Sequence, residues 1–320
     1  MPDVTAKAAH VDALLTNVAI DFLNNPTDFI ADKILPTLVV PKRSGIYFTY
    51  DKSSLRRVDT GRAAGAKAKI SNYGLSQTSY GPVRSFALKS QVVDELGEEI
   101  GGTLAEKNAT LHLMEQMMID KEVALATAMQ STATITQNTT LAGVDQWSDY
   151  ANSDPFDDIN VAKAAVKSTS MKVPNTLVLG WEVYLKLQNH PDVMSRLNAI
   201  KTFATPDDLK VMFDVQNVII AGTQYNSARE GAADSLGYIW GKNAWLLYIN
   251  PQAAQDRQYI TFGHTLRVEG KGDNGQFATK VTKWRTEGDD DESTWVRASW
   301  YYQQKLMSVA CAYLIKNAIA

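Results

Sequence analysis

Two alternating stretches that flank a polar tip, between residues 44 and 90, constrain this chain more than any other feature. The first stretch runs from Ile46 to Tyr50 and the second from about Tyr73 to Leu88, with apolar side chains recurring at every second position. This period is typical of β-strands, so the pattern predicts a long two-stranded hairpin. Because an isolated two-stranded ribbon is only marginally stable in water, the hairpin needs a partner surface.

The charge of the same segment indicates what that partner surface carries. Residues 44–90 include eight basic residues but only two acidic ones, Asp51 and Asp59. The basic residues are Lys52, Arg56, Arg57, Arg62, Lys67, Lys69, Arg84 and Lys89. The whole chain has a formal net charge of -3, which argues against a protein that coats nucleic acid with all of its surface. We therefore expect a basic loop that binds an acidic surface.

The longest helical pattern follows directly, from about Asp94 to Gln130. Its apolar residues recur at steps of three, four and seven, which fits one face of a helix. They are Leu96, Ile100, Leu104, Leu111, Met114, Met118, Leu125 and Met129. The first half is acidic, with Asp94, Glu95, Glu98, Glu99 and Glu106. The sequence thus places an acidic helix next to a basic hairpin.

The remaining segments predict a mixed fold. Residues 9–41 combine an amphipathic stretch with an extended one and predict an arm that packs on another part of a protein. Capping and hydrophobic patterns predict helices that begin near Asp154, Trp181, Pro191 and Thr205. The predicted later strands are Thr176–Leu179, Asn217–Ala221, Leu236–Trp240, Ala244–Ile249, Gln258–Phe262, Phe277–Trp284 and Trp295–Tyr302. This order of elements indicates the α+β class.

Patterns that carry catalysis or ligand binding are weak throughout the chain. The glycines of Gly270-x-Gly272-x-x-Gly275 precede a predicted strand, whereas a dinucleotide site needs a helix there. The histidines His10, His112, His190 and His264 share no metal-ligand spacing. The acidic clusters near Asp154 and Asp289 are better explained as a helix start and a solvated loop. No GxSxG nucleophile motif occurs, so we predict a protein without catalytic site, metal or cofactor.

The single cysteine and the absence of long apolar runs give further expectations. Cys311 lies in an apolar run, where a cysteine is most often a small buried hydrophobe. One cysteine excludes an intramolecular disulfide, which suits a reducing cytoplasm. Neither a signal peptide nor a stretch of roughly 20 apolar residues is present, so we expect no membrane partner.

Five stretches of sequence carry a family resemblance that spans nearly the whole chain. They are DFIADKILPTLVVPKRSGIYFTYDK, ALKSQVVDELGE, WSDYANSDPFDDI, PNTLVLGWEVYLKLQNHPDVMSRL and YIWGKNAWLLY. Together with the order of arm, basic hairpin, long helix, α/β middle and strand-rich end, they resemble the major capsid proteins of tailed bacteriophages.

The resemblance implies a Hong Kong 97-type capsid fold with a particular division of the chain. The implied parts are an N-terminal arm (1–43), an extended loop (44–90), a peripheral domain (91–175) with a spine helix (94–130), an axial domain (176–264) and C-terminal strands that return to the peripheral domain (265–320). The implied function is structural: copies associate as pentamers and hexamers and close into an icosahedral head around double-stranded DNA.

Physical reasoning adds candidate contacts between the identical subunits of such a head. The basic side chains of one loop can meet the acids at the start of a neighbour's long helix. The candidate contact residues are Arg56, Arg57, Arg62, Lys67, Lys69, Glu95, Glu98 and Glu99. The short segment before the arm favours a separate scaffolding protein, and the resemblance also implies a portal and, in some relatives, cement proteins.

Two alternatives remain open at this point. An encapsulin-type nanocompartment shell protein would share the fold but would enclose a cargo enzyme instead of DNA. A soluble α+β hydrolase is a more distant alternative, since no constellation in the sequence meets the requirements of a catalytic site. The expected location is the virion capsid, assembled in the cytoplasm of a bacterial host and in non-specific contact with packaged DNA.

Overall fold

The computed structural model describes residues 28–50, 56–70, 75–93, 102–197, 203–229, 231–250, 260–268, 280–286 and 293–320. Its helices are α1 (Ala31–Ile34), α2 (Gly102–Gln130), α3 (Pro155–Ser170), α4 (Trp181–Gln188), α5 (Pro191–Arg196) and α6 (Pro206–Met212). Its strands are β1 (Thr37–Val40), β2 (Ile46–Tyr50), β3 (Leu75–Ser79), β4 (Arg84–Val93), β5 (Asn138–Thr140), β6 (Thr176–Gly180), β7 (Asn217–Ala221), β8 (Gln224–Asn226), β9 (Leu236–Tyr238), β10 (Ala244–Leu247), β11 (Gly263–Val268), β12 (Lys280–Thr286), β13 (Ser293–Leu306) and β14 (Ala312–Lys316). Helices and sheets both contribute, which agrees with the predicted α+β class.

The first sheet is built around its longest strand, β13. This strand pairs antiparallel with β4, β11 and β12, and β11 pairs in parallel with β1. The stretch that was predicted as the second strand of the hairpin therefore forms two separate strands, β3 and β4. β3 forms a ribbon with β2, whereas β4 belongs to the large sheet.

The long helix α2 covers one face of this sheet. Its side chains Leu113, Met114, Met117 and Met118 form a buried cluster with Val281, Val296, Ala298, Trp300 and Tyr302. The β13 members of that cluster occupy every second position, as expected for side chains on one face of a strand. Of the predicted apolar face, Met114, Met118, Leu125 and Met129 are buried, whereas Leu104, in the first turn, is 50% exposed. The helix was predicted from Asp94; residues 94–101, with Leu96 and Ile100, lie outside the described residues.

The second sheet has the order β5-β14-β10-β6-β7, and its inner strands β6 and β10 are buried on both faces. Leu177 and Leu179 of β6 pack into the cluster that contains α3, and Val178 between them packs into the cluster that contains Trp240 and Trp245. This explains why β6 and β10 are apolar at nearly every position, since a strand covered on both sides has no solvent face.

The second sheet also joins distant parts of the sequence. β14, near the C-terminus, pairs antiparallel with β10 and in parallel with β5, which follows α2. The resemblance implies that the C-terminal strands of residues 265–320 return to the peripheral domain. β13 does lie beside β4 and β12, but β14 lies in the sheet of β6 and β7. The division into domains remains a prediction.

Local capping signals confirm the predicted helix starts near Asp154 and Thr205. The carboxylate of Asp154 accepts hydrogen bonds from the backbone N–H groups of Phe156 (2.9 Å) and Asp157 (3.1 Å) at the start of α3. Thr205 and Asp208 form a reciprocal capping box at the start of α6. A strand was predicted at Gln258–Phe262, but residues 260–262 are not in a strand and β11 begins only at Gly263. Residues 251–259 lie outside the described residues.

Candidate assembly surfaces

The loop tip, defined as residues 56–70, is exposed at every position. It contains five predicted contact residues, Arg56, Arg57, Arg62, Lys67 and Lys69, and no helix or strand. Its apolar side chains are also unprotected, since Ile70 is 87% exposed. The structure therefore brings the basic side chains together on one extended segment without covering them.

One ion pair organises part of the loop tip. The ammonium group of Lys69 donates to the carboxylate Oδ2 and the carbonyl oxygen of Asp59, both at 2.9 Å, and the N–H of Gly61 donates to Oδ1 at 3.1 Å. The bond from Lys69 lowers the pKa of the exposed Asp59 carboxyl group. Among the described residues, no ion pair engages Arg56, Arg57, Arg62 or Lys67. Four of the five cations thus remain available to a partner.

The base of the extended loop is firmly attached, in contrast to its tip. The hydroxyl of Tyr80 donates to the carbonyl of Lys42 at 3.0 Å, and the N–H of Val83 donates to the carbonyl of Arg43 at 2.7 Å. Tyr80 and Val83 also join a buried cluster formed by strands β1 and β11. A Cβ atom at Gly45 would lie 2.4 Å from the Tyr80 hydroxyl oxygen, so this close approach requires glycine.

The predicted acidic partners cannot be positioned against the loop. Glu95, Glu98 and Glu99 lie outside the described residues. Within the described part of α2, Glu106 already pairs with Lys283 at 2.5 Å across the sheet interface. The pairing of basic loop and acidic helix start therefore stays a prediction.

A buried carboxylate that the sequence did not reveal holds the arm to α2. Both oxygens of Glu122 accept from the arm, one from the N–H of Ile30 and one from the N–H of Ala31, each at 3.0 Å. The indole N–H of Trp240 donates to Glu122 Oε1 at 2.7 Å. Burial raises the pKa of Glu122, and these three donors oppose that shift. Glu122 therefore caps the short helix α1 from 91 residues away in the sequence.

Its neighbour Lys121 makes a second buried attachment to the same arm. The ammonium group lies 2.6 Å from Asp32 Oδ1 in α1, and it lies over the rings of Tyr302 (5.5 Å) and Trp300 (5.7 Å). Burial lowers the pKa of Lys121, against the attraction of Asp32. A pattern of apolar residues cannot reveal this pair, because consecutive charged residues on a helix normally indicate a solvent-exposed face.

Further bonds fasten both ends of the arm segment. The hydroxyl of Thr223 donates to the carbonyl of Asp28 at 2.6 Å. The carbonyl of Pro36 accepts from the N–H of Thr265 and lies 3.1 Å from Nδ1 of His264, which therefore carries the proton. The predicted arm that packs on another part of the protein is thus packed on its own subunit from residue 28 onward.

One buried group has the composition of a catalytic triad and was missed in the sequence. Ser153 Oγ lies 3.1 Å from Nε2 of His190, and the Asp192 carboxylate lies 3.6 Å from Nδ1. However, Nδ1 accepts from the backbone N–H of Asp192, so Nε2 carries the proton and donates to Ser153. The serine hydroxyl in turn donates to the carbonyl of Asp149 at 2.6 Å. In this arrangement His190 caps α5 and cannot take a proton from the serine.

The described residues show no other feature of a reactive site. None of their His, Cys, Asp and Glu side chains form a group of three that could hold a metal ion, and no described helix is long and apolar enough to cross a membrane. Cys311 is buried in the core, as predicted. The glycines 270, 272 and 275 lie outside the described residues.

Comparison with curated proteins finds relatives along nearly the full chain. No protein-family model matches it. The chain is 25% identical over 321 residues to the major capsid protein of Burkholderia phage BcepMu, with 98% of each protein covered. It is 27% identical over 265 residues to the major capsid protein of Pseudomonas phage JBD67, with 80% of this chain and 82% of that protein covered.

Comparison with solved structures finds the same architecture. A phage-related protein from Bordetella bronchiseptica RB50 superimposes with a TM-score of 0.73 at 23% identity, with 98% of both chains covered. A virus-like particle from Pyrococcus furiosus matches with a TM-score of 0.54 at 13% identity, with 95% of this chain and 98% of that chain covered. The Hong Kong 97-type fold implied by the sequence is confirmed, and the chain is similar along most of its length to two phage major capsid proteins.

Proposed function

We propose that this chain is the shell subunit of a phage head, in which identical copies associate as pentamers and hexamers and enclose double-stranded DNA. The similarity to two phage major capsid proteins, one along 98% of the chain, carries the proposal. The structure supports it with a loop tip that is wholly exposed in the single subunit. A structural role without catalysis also fits the hydrogen bonds of Ser153 and His190, which oppose nucleophile activation.

The loop tip is our candidate for the first contact between subunits. Four basic side chains there lack an ion pair with any described residue, and their charge favours an acidic surface on a neighbour. The acidic start of the long helix, with Glu95, Glu98 and Glu99, offers such charge. In this arrangement the axial part (176–264) lies near the symmetry axes and the extended loop (44–90) lies on an adjacent subunit.

Other partners follow from the same proposal. A separate scaffolding protein directs assembly in the host cytoplasm, a portal occupies one vertex, and cement proteins reinforce the finished shell where they are present. Contact with packaged DNA is non-specific and local, because the net charge of -3 does not favour broad phosphate binding.

A second candidate function is a nanocompartment shell. The fold match to the virus-like particle from Pyrococcus furiosus is the observation that favours it. The two functions differ in what the particle contains, since a phage head holds DNA and a nanocompartment holds a protein cargo. Particles isolated from the natural source and treated with nuclease distinguish them by protected DNA of genome length.

Imaging of the purified full chain tests the shell function itself. We expect closed particles of uniform diameter in negative stain, and elution far ahead of a 35.3 kDa monomer in size-exclusion chromatography. A preparation that stays monomeric at all concentrations, also with its scaffolding protein present, would contradict the proposal.

A further inference from the structure

The strand β4 (Arg84–Val93) has one edge that no described strand covers. Its other edge pairs with β13 through ten consecutive residues, from Arg84 opposite Tyr302 to Val93 opposite Ser293. Among the described strands of this sheet, β13 is the one that pairs with β4. A free edge of this length presents a row of backbone N–H and C=O groups that favour pairing with another chain.

The strand β4 has few of the features that normally protect a free edge. Its register with β13 is continuous, so it has no bulge, and it contains no proline. Lys89 is the one charged side chain in its interior. The edge of β12 that no described strand covers is different, because Lys280, Lys283 and Arg285 place three charges in seven residues. Charged side chains discourage edge pairing, so the two edges of one sheet differ in how well they are protected.

Apolar side chains on both faces of β4 would support an added strand. Leu88 stands opposite Ala298, which is buried against α2, and yet Leu88 is 43% exposed. Val93, on the opposite face, is 42% exposed. Phe86 is stacked on Tyr302 with 4.5 Å between ring centroids, so an aromatic contact joins β4 to β13. Cross-strand contacts to such side chains are what stabilise a sheet beyond its backbone bonds.

We propose that a second copy of this chain completes the β4 edge by adding a strand in the assembled shell. The inference rests on the proposed function, because only a shell of identical subunits supplies the second copy at fixed geometry. Its position supports that occupant: four residues, Tyr80–Val83, separate β4 from the ribbon that carries the exposed loop tip. The loop and the edge are thus adjacent along the chain, and a neighbour that contacts the loop can also reach the edge.

Hydrogen exchange of the full chain tests the proposal in two states, unassembled subunits and closed particles. Alternate amides of β4 point away from β13. We expect them to exchange rapidly in the subunit and to slow by about ten-fold or more in the particle, as backbone bonds form. The outward amides of β12, the internal control, should exchange equally in both states. Slow β4 exchange already in the subunit means that the chain covers its own edge and overturns the proposal.

The same experiment distinguishes failure of the edge contact from failure of the proposed function. Particles that form while the β4 amides stay fast refute the edge contact and leave the shell function standing. A chain that forms no particles contradicts the proposed function, and the edge contact with it.

A pair of matched variants gives an independent readout. Leu88→Lys adds a charge to the edge, and Val161→Lys adds one to the outer face of α3, where Val161 is 52% exposed. Because both side chains are exposed, the two variants should unfold at the same urea concentration. We expect the particle yield of Leu88→Lys to be about ten-fold below that of Val161→Lys. Equal yields would overturn the proposal.

Discussion

Residues 28–40 and residues 56–70 are two nearby stretches of mostly irregular or extended chain with opposite surroundings. In the arm, Ile30, Ile34 and Leu35 are completely buried, and Glu122 accepts bonds from its backbone. In the loop tip every residue is exposed, and the internal ion pair is the exposed one between Lys69 and Asp59. One stretch is part of the subunit core, and the other is surface that no described residue covers.

The difference indicates which stretch contributes to the folding of the subunit and which stretch is left for contacts between subunits. Burial of each of the three apolar side chains Ile30, Ile34 and Leu35 contributes about 1.5–3 kcal/mol to the stability of the subunit, so the arm folds with it. The loop tip gains no such burial, and its conformational entropy favours many arrangements. Under the proposed function a neighbour contacts the loop tip, so changes in the two stretches should affect different measurements.

Removal of the Glu122 carboxylate should have the largest effect. Glu122→Ala leaves two backbone donors of the arm and the Trp240 indole without an acceptor in a buried site. We expect the free energy of unfolding to fall by about 3–5 kcal/mol, measured by urea denaturation of the unassembled subunit. The control Glu115→Ala removes an exposed carboxylate from the same helix and should cost less than about 0.5 kcal/mol. Equal losses in both variants would show that the arm is not held through Glu122.

Charge reversal in the loop tip should act on assembly alone. The double variant Arg56→Glu and Arg57→Glu should form particles about ten-fold less efficiently, because opposite charges favour association and like charges oppose it. Its urea midpoint should equal that of the unchanged chain, since neither side chain has an ion pair with a described residue. Charge reversal at the exposed Lys107 of α2 is the control. Normal assembly of the double variant would rule out the basic loop as a contact.

Replacement of Lys121 should have a smaller effect than loss of Glu122. Lys121→Met keeps the length of the side chain and its packing against Trp300 and Tyr302. Its partner Asp32 is 54% exposed and can be solvated, so no buried charge is left unpaired. We expect a change of about 1 kcal/mol or less in the free energy of unfolding, because desolvation of the lysine is also relieved. A loss as large as that of Glu122→Ala would mean that Lys121 carries the arm attachment.

Acidification should weaken the arm attachment through His264, with the smallest effect of the four. Burial lowers the pKa of His264 from its ordinary 6.5, so the unfolded chain binds a proton more readily than the folded one. Stability contributed by the neutral imidazole is present above pH 6.5 and is lost as the pH falls through the lowered pKa. Urea midpoints at pH 7.5 and 5 should therefore differ more for the unchanged chain than for His264→Gln. The same difference in both chains would exclude His264 as the cause.

Several elements of the fold could be predicted from the sequence because their signals are local. The bounds of β7 and the helix starts at Asp154 and Thr205 follow from strand composition and from capping side chains within three residues. The buried face of α2 at Met114, Met118, Leu125 and Met129 follows from helical periodicity. The basic character of the loop tip is likewise a property of the sequence.

The tertiary structure decided which distant segments meet. A two-residue period identifies a strand but does not name its neighbour, so the separation of β3 from β4 and the pairing of β14 with β10 could not be read from the pattern. The roles of Glu122 and Lys121 were hidden for the same reason, since a buried ionisable side chain is stable only when hydrogen-bonding or oppositely charged partners from other segments converge on it. The sequence alone determined the basic charge of the loop and predicted that the loop needs a partner. The fold determined that the arm finds its partner within the subunit, whereas the loop tip and the edge of β4 do not find one among the described residues.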